Sequence, residues 1–219
     1  VAAALLRAGD RVAITGTTSD GAIRAEHALS AIAPGRAVGI VADVRDPAAI
    51  EAAVQTVVAR FGGLDVLVNG AGVGVGAPVS DLPFDEWNRI INTNLTGVFH
   101  CCKAAIPHLR TRGGGWIVNI SSLSSTGPFA GGAAYCASKA GVNAFSESLM
   151  QELRDDNIRV TTVLPGSVAT GFSGREPAAG SDWKLQPEDV AQVIVDALNM
   201  PPRSLPSRIE LRPSKPKKG

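Results

Sequence analysis

Leu64-Asp65-Val66-Leu67-Val68-Asn69-Gly70-Ala71-Gly72 decides the fold of this chain. Four of its first five residues are apolar and two are β-branched, and the run stops at once in a glycine-containing turn, so it reads as a short buried strand and not as a helix. Similar short runs recur outward in both directions, at Arg11 to Thr15, Ala37 to Ala42, Trp116 to Ile120, Ile158 to Leu164 and about Arg208 to Arg212. Between them lie longer segments of helical period. Val1 to Ala8 reads as the end of a helix stopped by Gly9, followed by helices over Ala22 to Ile32 and from Pro47 onward, with Val54, Val57, Val58 and Phe61 as the inward stripe of the latter. A long helix is expected from Phe84 to about Leu109, another from near Tyr135 to Leu153, and a last one from Pro187 to Leu198. Strands alternating with helices define an α/β protein with a parallel, doubly wound sheet.

At 219 residues and 45% hydrophobic content the chain suits one domain, 1–219, with 213–219 as a tail whose three lysines read as a solvated end. A net charge of +1 gives no global attraction for nucleic acid or an anionic membrane, which leaves a small molecule as the expected partner. Cys101, Cys102 and Cys136 offer neither metal-ligand spacing nor a disulfide framework, so no metal and a reducing, cytoplasmic compartment are expected. The opening Val1-Ala-Ala-Ala-Leu-Leu6 is too short for a signal sequence, and no apolar run approaches the roughly 18 residues of a membrane span.

The chemistry concentrates in Tyr135-Cys136-Ala137-Ser138-Lys139, with Ser122 thirteen residues upstream of the tyrosine. Positions four apart on a helix share a face, so Tyr135 and Lys139 point into one space. An ammonium there favours the phenolate and lowers a phenol pKa that is ordinarily about 10, the condition for acid–base work near neutral pH. Tyr135 is the only tyrosine in the chain, so no neighbour can stand in for it. The blander readings are an aromatic packed at a helix start, a surface lysine and a turn serine.

From Ala42 onward the sequence resembles the classical short-chain dehydrogenases/reductases, Rossmann-fold oxidoreductases that use nicotinamide cofactors, with 3-oxoacyl reductases among their members. The resemblance rests on Asp43-Val44 after a strand, Asn69-Gly70-Ala71-Gly72 after the next, Asn94-Leu95-Thr96-Gly97 on the long helix, Ser122, Tyr135-x-x-x-Lys139, and Pro165-Gly166-Ser167-Val168 with Thr170. It implies that Tyr135 is the acid/base, Ser122 polarises the substrate oxygen, and Lys139 tunes the tyrosine and binds the nicotinamide ribose. Asn94 is implied to anchor a water that links Lys139 to solvent. For the NAD(H) or NADP(H) cofactor it implies contacts from Asp43 and Val44 at the adenine and from Asn69, Ala71 and Gly72 where backbone passes close to the ligand. Tyr135, Lys139, Pro165, Gly166, Val168 and Thr170 complete the set at the nicotinamide end. A substrate wall of Leu123, Gly127, Phe129, Phe172 and Trp183 suits a ketone or secondary alcohol with an apolar portion. A homodimer or homotetramer is also implied, with Phe99, Phe145 and Leu149 as interface residues.

One departure stands out. Family members open with a central strand ending in a glycine-rich loop that holds the pyrophosphate. Here Thr15-Gly16 is followed by Gly21 and Ile23, off that pattern. The better alignment makes Val1 to Ala8 the tail of the first helix and Arg11 to Thr15 the second strand, with the first strand absent from the given chain. Gly72, Gly74 and Ala77 satisfy G-x-G-x-x-A, but Pro78 follows and no acid lies about 20 residues on, so this is no substitute. At the end of the second strand, Gly16-Thr17-Thr18 lacks an early acid for a ribose hydroxyl, while Thr17, Thr18 and Arg24 tolerate a 2′-phosphate, which favours NADP(H). The alternative to an enzyme is a catalytically silent homologue serving as a binding or scaffold subunit.

Overall fold

In a computed structural model, residues 1–74, 76–172 and 181–215 are described. Helix α1 (Ala2–Ala8) ends at Gly9, whose φ of 107° is the left-handed conformation that glycine adopts without a Cβ penalty. Strand β1 (Val12–Gly16) leads to α2 (Ser19–Ser30), capped by Thr18, whose hydroxyl accepts from the Gly21 N–H. Next come β2 (Ala37–Val41) and α3 (Pro47–Phe61), where Asp46 accepts from the Ala48 and Ala49 amides and Pro47 occupies the first turn. Ile50, Ala53 and Phe61 are the buried residues of α3; of the expected stripe Phe61 is buried, while Val54, Val57 and Val58 are half-buried.

Strand β3 (Val66–Asn69) precedes α4 (Phe84–Ile91), a π-turn (Asn92–Thr96) and α5 (Gly97–Thr111). The long helix expected over this region is therefore interrupted by one wide turn, centred on Asn94. Strand β4 (Gly115–Ile120), α6 (Ala133–Leu153), β5 (Ile158–Pro165), α7 (Pro187–Leu198) and β6 (Arg208–Leu211) complete the order.

All strand pairs are parallel, and helices cover both faces of the larger sheet. Odd and even residues of β4 separate cleanly: Ile117 packs with Val98, Leu109 and Leu153 of α5 and α6, while Trp116 and Val118 pack with Ile194 and Ala197 of α7. The described strands form two sheets, β1-β2 and β3-β4-β5-β6. In the expected fold one further strand lies between β1 and β3; no described strand occupies that place. The small sheet has its own apolar cluster, built from Leu6, Val12, Leu29, Ala33 and Ala37.

The carboxyl ends of β3, β4 and β5 converge, with the turns that follow them lining one cleft. This is where ligands sit in open parallel sheets, because the loops diverge there and leave a crevice.

Candidate active site

The cleft is about 1350 Å³, and Ser122, Tyr135 and Lys139 all line it. Strand β4 delivers Ser122 two residues past its end, and the start of α6 presents Tyr135 and, one turn on, Lys139. Lys139 is 5% exposed and donates from Nζ to the Ile120 carbonyl at 2.8 Å. An ammonium has three donors, and this is its one hydrogen bond among the described residues. Burial pushes its pKa down to about 8. The Tyr135 phenol is pushed above its usual value by burial, with the Ser122 hydroxyl opposing that shift. This corrects the expectation that Lys139 holds the phenol low: the Lys139 nitrogen lies 6.0 Å from the tyrosine ring centroid and is committed to a backbone carbonyl, so in the protein alone desolvation dominates.

Asn94 is completely buried, and its side chain ties the turn after β3 to α6. Its Oδ1 accepts from the Val73 N–H at 2.8 Å, and its Nδ2 donates to the Val73 carbonyl at 2.9 Å and to Ser138 Oγ at 3.0 Å. The amide thus replaces a strand partner for Val73 and fixes the glycine-containing turn after β3 against α6. The π-turn explains why a mid-helix asparagine is tolerated, since such turns open the helix at functional sites.

Asn69 is buried away from the cleft. It donates to Asn119 Oδ1 at 2.8 Å, and Asn119 donates in turn to Ser146 Oγ at 2.8 Å, a polar chain that locks β3, β4 and α6 together. Neither Asn69 nor Ala71 lines the cleft, whereas Gly70, Gly72, Gly74 and Gly76 do. A Cβ on Gly72 would stand 3.6 Å from Asn94 Oδ1 and 3.7 Å from Lys139 Nζ, so the missing side chain keeps the approach to the lysine open.

Pro165, Gly166, Val168 and Thr170 line the same cleft. Their path is set by a parallel bridge between Val168 and Leu185, with Ala169 N–H donating to the Leu185 carbonyl and Leu185 N–H to that of Ser167. The Val168 N–H has no acceptor among the described residues. The expected apolar wall is assembled: Leu123, Gly127, Phe129, Phe172 and Trp183 all line the cleft, with the Phe172 ring edge-on to Tyr135 at 5.8 Å between centroids. Residues 173–180 lie outside the described residues.

Asp43 and Val44 stand apart from the cleft, at the end of β2. Both Asp43 oxygens are held by Arg45, with the shortest contact 2.5 Å, and this guanidinium lowers the Asp43 pKa. Contact with adenine through this carboxylate therefore requires Arg45 to yield, which an exposed pair does at small cost. Sequence reasoning missed Val73, Ser138 and the Ile120 carbonyl, because none is a motif residue and each acts through contacts of long sequence separation.

The short chain dehydrogenase family model matches residues 1–179. A sepiapterin reductase of Chlorobaculum tepidum is 34% identical over 175 residues, covering 80% of this chain and 72% of that protein. Among solved structures, an alcohol dehydrogenase of the archaeon Thermococcus sibiricus, complexed with 5-hydroxy-NADP, superposes with a TM-score of 0.90 at 27% identity over 99% of this chain and 92% of that one. A metagenomic short-chain oxidoreductase in complex with NADP gives 0.81 at 32% identity over 98% and 92%. The chain belongs to the short-chain dehydrogenase family, with a Rossmann-type fold. By class it is an NAD(P)-dependent oxidoreductase.

Proposed function

We propose that this protein transfers a hydride between NADP(H) and a ketone or secondary alcohol bearing an apolar portion, with Tyr135 as proton donor and acceptor. The observation that carries this reading is the convergence of Tyr135, Ser122 and the buried Lys139 on one cleft with an apolar wall. The residues present fit the nicotinamide end of such a cofactor. Among the described residues Lys139 has two ammonium donors to spare and the Val168 N–H lacks an acceptor, and Gly72 leaves room beside the lysine. At the diphosphate end the described residues provide no glycine-rich loop. Preference for the 2′-phosphorylated form is supported by Thr17, Thr18 and the exposed Arg24, and the two structural neighbours named above were solved with NADP compounds.

A nicotinamide bound in this cleft supplies or accepts the hydride. During reduction Ser122 donates a hydrogen bond to the carbonyl oxygen, and Tyr135 gives its phenolic proton to that oxygen as negative charge develops on it. Lys139 stabilises the resulting phenolate with the charge that it keeps below a pKa of about 8. Oxidation runs the same path in reverse. Burial of the phenol suits a proton donor, because it delays ionisation until the substrate oxygen becomes basic.

Soluble, cytoplasmic work on a small molecule fits this reading, and among the described residues no helix is long and apolar enough to cross a membrane. A dimer or tetramer is the expected assembly. Phe99 is exposed and meets the half-buried Phe145 edge-on, whereas Leu149 belongs to the core and offers no surface in the single chain. The alternative reading is a silent binding subunit. The discriminating experiment is titration of the purified chain with NADPH, followed by tryptophan fluorescence, then turnover on apolar and polar ketones. Saturable binding with turnover biased to apolar ketones is expected; no binding would leave the subunit reading in its place.

A further inference from the structure

His100 lies on α5, away from the cleft, yet its Nδ1 is 2.9 Å from the carbonyl oxygen of Val44, which is 56 residues earlier in the chain. A carbonyl can only accept, so Nδ1 carries the hydrogen and Nε2 is left as the acceptor in the neutral ring. One helical turn before, Gly97 brings α5 so close that a Cβ there would stand 2.7 Å from Val44 Cγ2. The same helix face therefore grips both the backbone and the side chain of Val44.

Val44 needs such a grip. It lies between β2 and α3, in no regular element, and its neighbours are committed elsewhere: Asp43 to Arg45, and Asp46 to the first turn of α3. The Val44 N–H has no acceptor among the described residues, and the side chain is half-buried. With the Asp43 carboxylate surrounded by Arg45 donors, this N–H is a backbone donor at that edge with no acceptor among the described residues.

We propose that His100 is a positioning residue for the adenine end of the cofactor, its Nδ1–H pinning the Val44 carbonyl so that the Val44 N–H is held ready for the adenine ring. The proposal rests on the cofactor reading above. Holding a loop in its bound form strengthens binding by reducing what must be ordered when the ligand arrives. The effect is confined to ligands that carry adenine.

The test compares dissociation constants for NADPH and for reduced nicotinamide mononucleotide, which lacks adenine, in wild type, His100→Ala and His100→Asn, with circular dichroism confirming the fold of each. His100→Ala is expected to weaken NADPH roughly three- to tenfold, the effect of one hydrogen bond, and to leave the mononucleotide unchanged. His100→Asn, whose amide nitrogen can occupy the position of Nδ1, is expected to restore most of the loss. In wild type, ¹⁵N spectra should show the His100 ring protonated at Nδ1. Equal NADPH affinity in His100→Ala, a parallel loss for both ligands, or an Nε2–H tautomer would overturn the proposal. Failure of the wild type to bind either ligand would instead overturn the cofactor reading, and this proposal with it.

Discussion

Lys139 is a cation held where water hardly reaches, with one carbonyl for company. Such placement opposes folding, and the pKa of about 8 records it. Below pH 8 the lysine is charged in both folded and unfolded chains, so the full penalty applies. Between about 8 and the ordinary value of 10.5 the unfolded chain binds the proton that the folded one has released, and stability rises with pH across that window. Replacing the ammonium by an apolar chain should therefore stabilise. Lys139→Met is expected to be roughly 1–2 kcal/mol more stable than wild type at pH 7 after losing the Ile120 bond. Urea titrations at pH 7 and pH 10 should show the gap shrinking at the higher pH, and the variant should be inactive. A variant less stable at pH 7 would show that the lysine is better solvated than its burial indicates. Tyr135, Lys139 and Ser122 were legible in the sequence because helical spacing alone puts the first two on one face and a strand end supplies the third. The pairing of Asn94 with Val73 was not, since it depends on a π-turn and on a loop 21 residues away. His100 carried no signal at all, its partner being set by how α5 crosses the end of β2.

At the scale of elements, close approach of helix to strand is purchased with glycine. A Cβ on Gly39 of β2 would lie 2.3 Å from the Ala22 carbonyl oxygen of α2, and backbone cannot swing aside as a long side chain can. Gly39→Ala is expected to lower stability by about 1–3 kcal/mol through overpacking, read as a lower urea midpoint with the slope unchanged. A neutral substitution would mean that α2 slides freely on β2. Element types followed from periodicity: every predicted strand and helix is present, and Pro187 to Leu198 has the expected bounds. The interruption of the long helix at Asn92–Thr96 was invisible, because no proline or glycine falls inside that turn. Its cause is tertiary, the burial of Asn94 against Val73 and Ser138.

For the whole molecule, the depth of burial of each strand sets the pattern of stability. The larger sheet has α5 and α6 on one face and α7 on the other; β1 and β2 share a smaller cluster with α1 and α2, and the end of β2 is tied to β3 and α5 through Ile40, Ala42, Leu67, Cys101 and Ala104. In native-state hydrogen exchange of this 219-residue chain, the amides of β4 and β5 are expected to outlast those of β1 by roughly 100-fold or more, because four of the six β4 residues and seven of the eight in β5 are buried, whereas in β1 only Val12 is. Uniform protection would show that the two sheets unfold as one. The place of β1 as the second strand was legible from the family resemblance, since a first strand there would leave only Ala37 to Ala42 between it and the Asn69 strand, where the family has two. The position of Asp43 was also foreseen, but its engagement with Arg45 was not, because an exposed side chain two residues away obeys no motif.

Movement of the proton by the Tyr135 phenol is the step on which the proposed reaction turns. It is tested most directly by the rate of NADPH oxidation with a saturating apolar ketone, in wild type and in Tyr135→Phe, with NADPH affinity measured alongside. The expected result is a fall in kcat of roughly 10²- to 10⁴-fold with a far smaller change in affinity, since the ring remains and only the transferable proton is lost. Turnover of the phenylalanine variant at the wild-type rate would contradict the account.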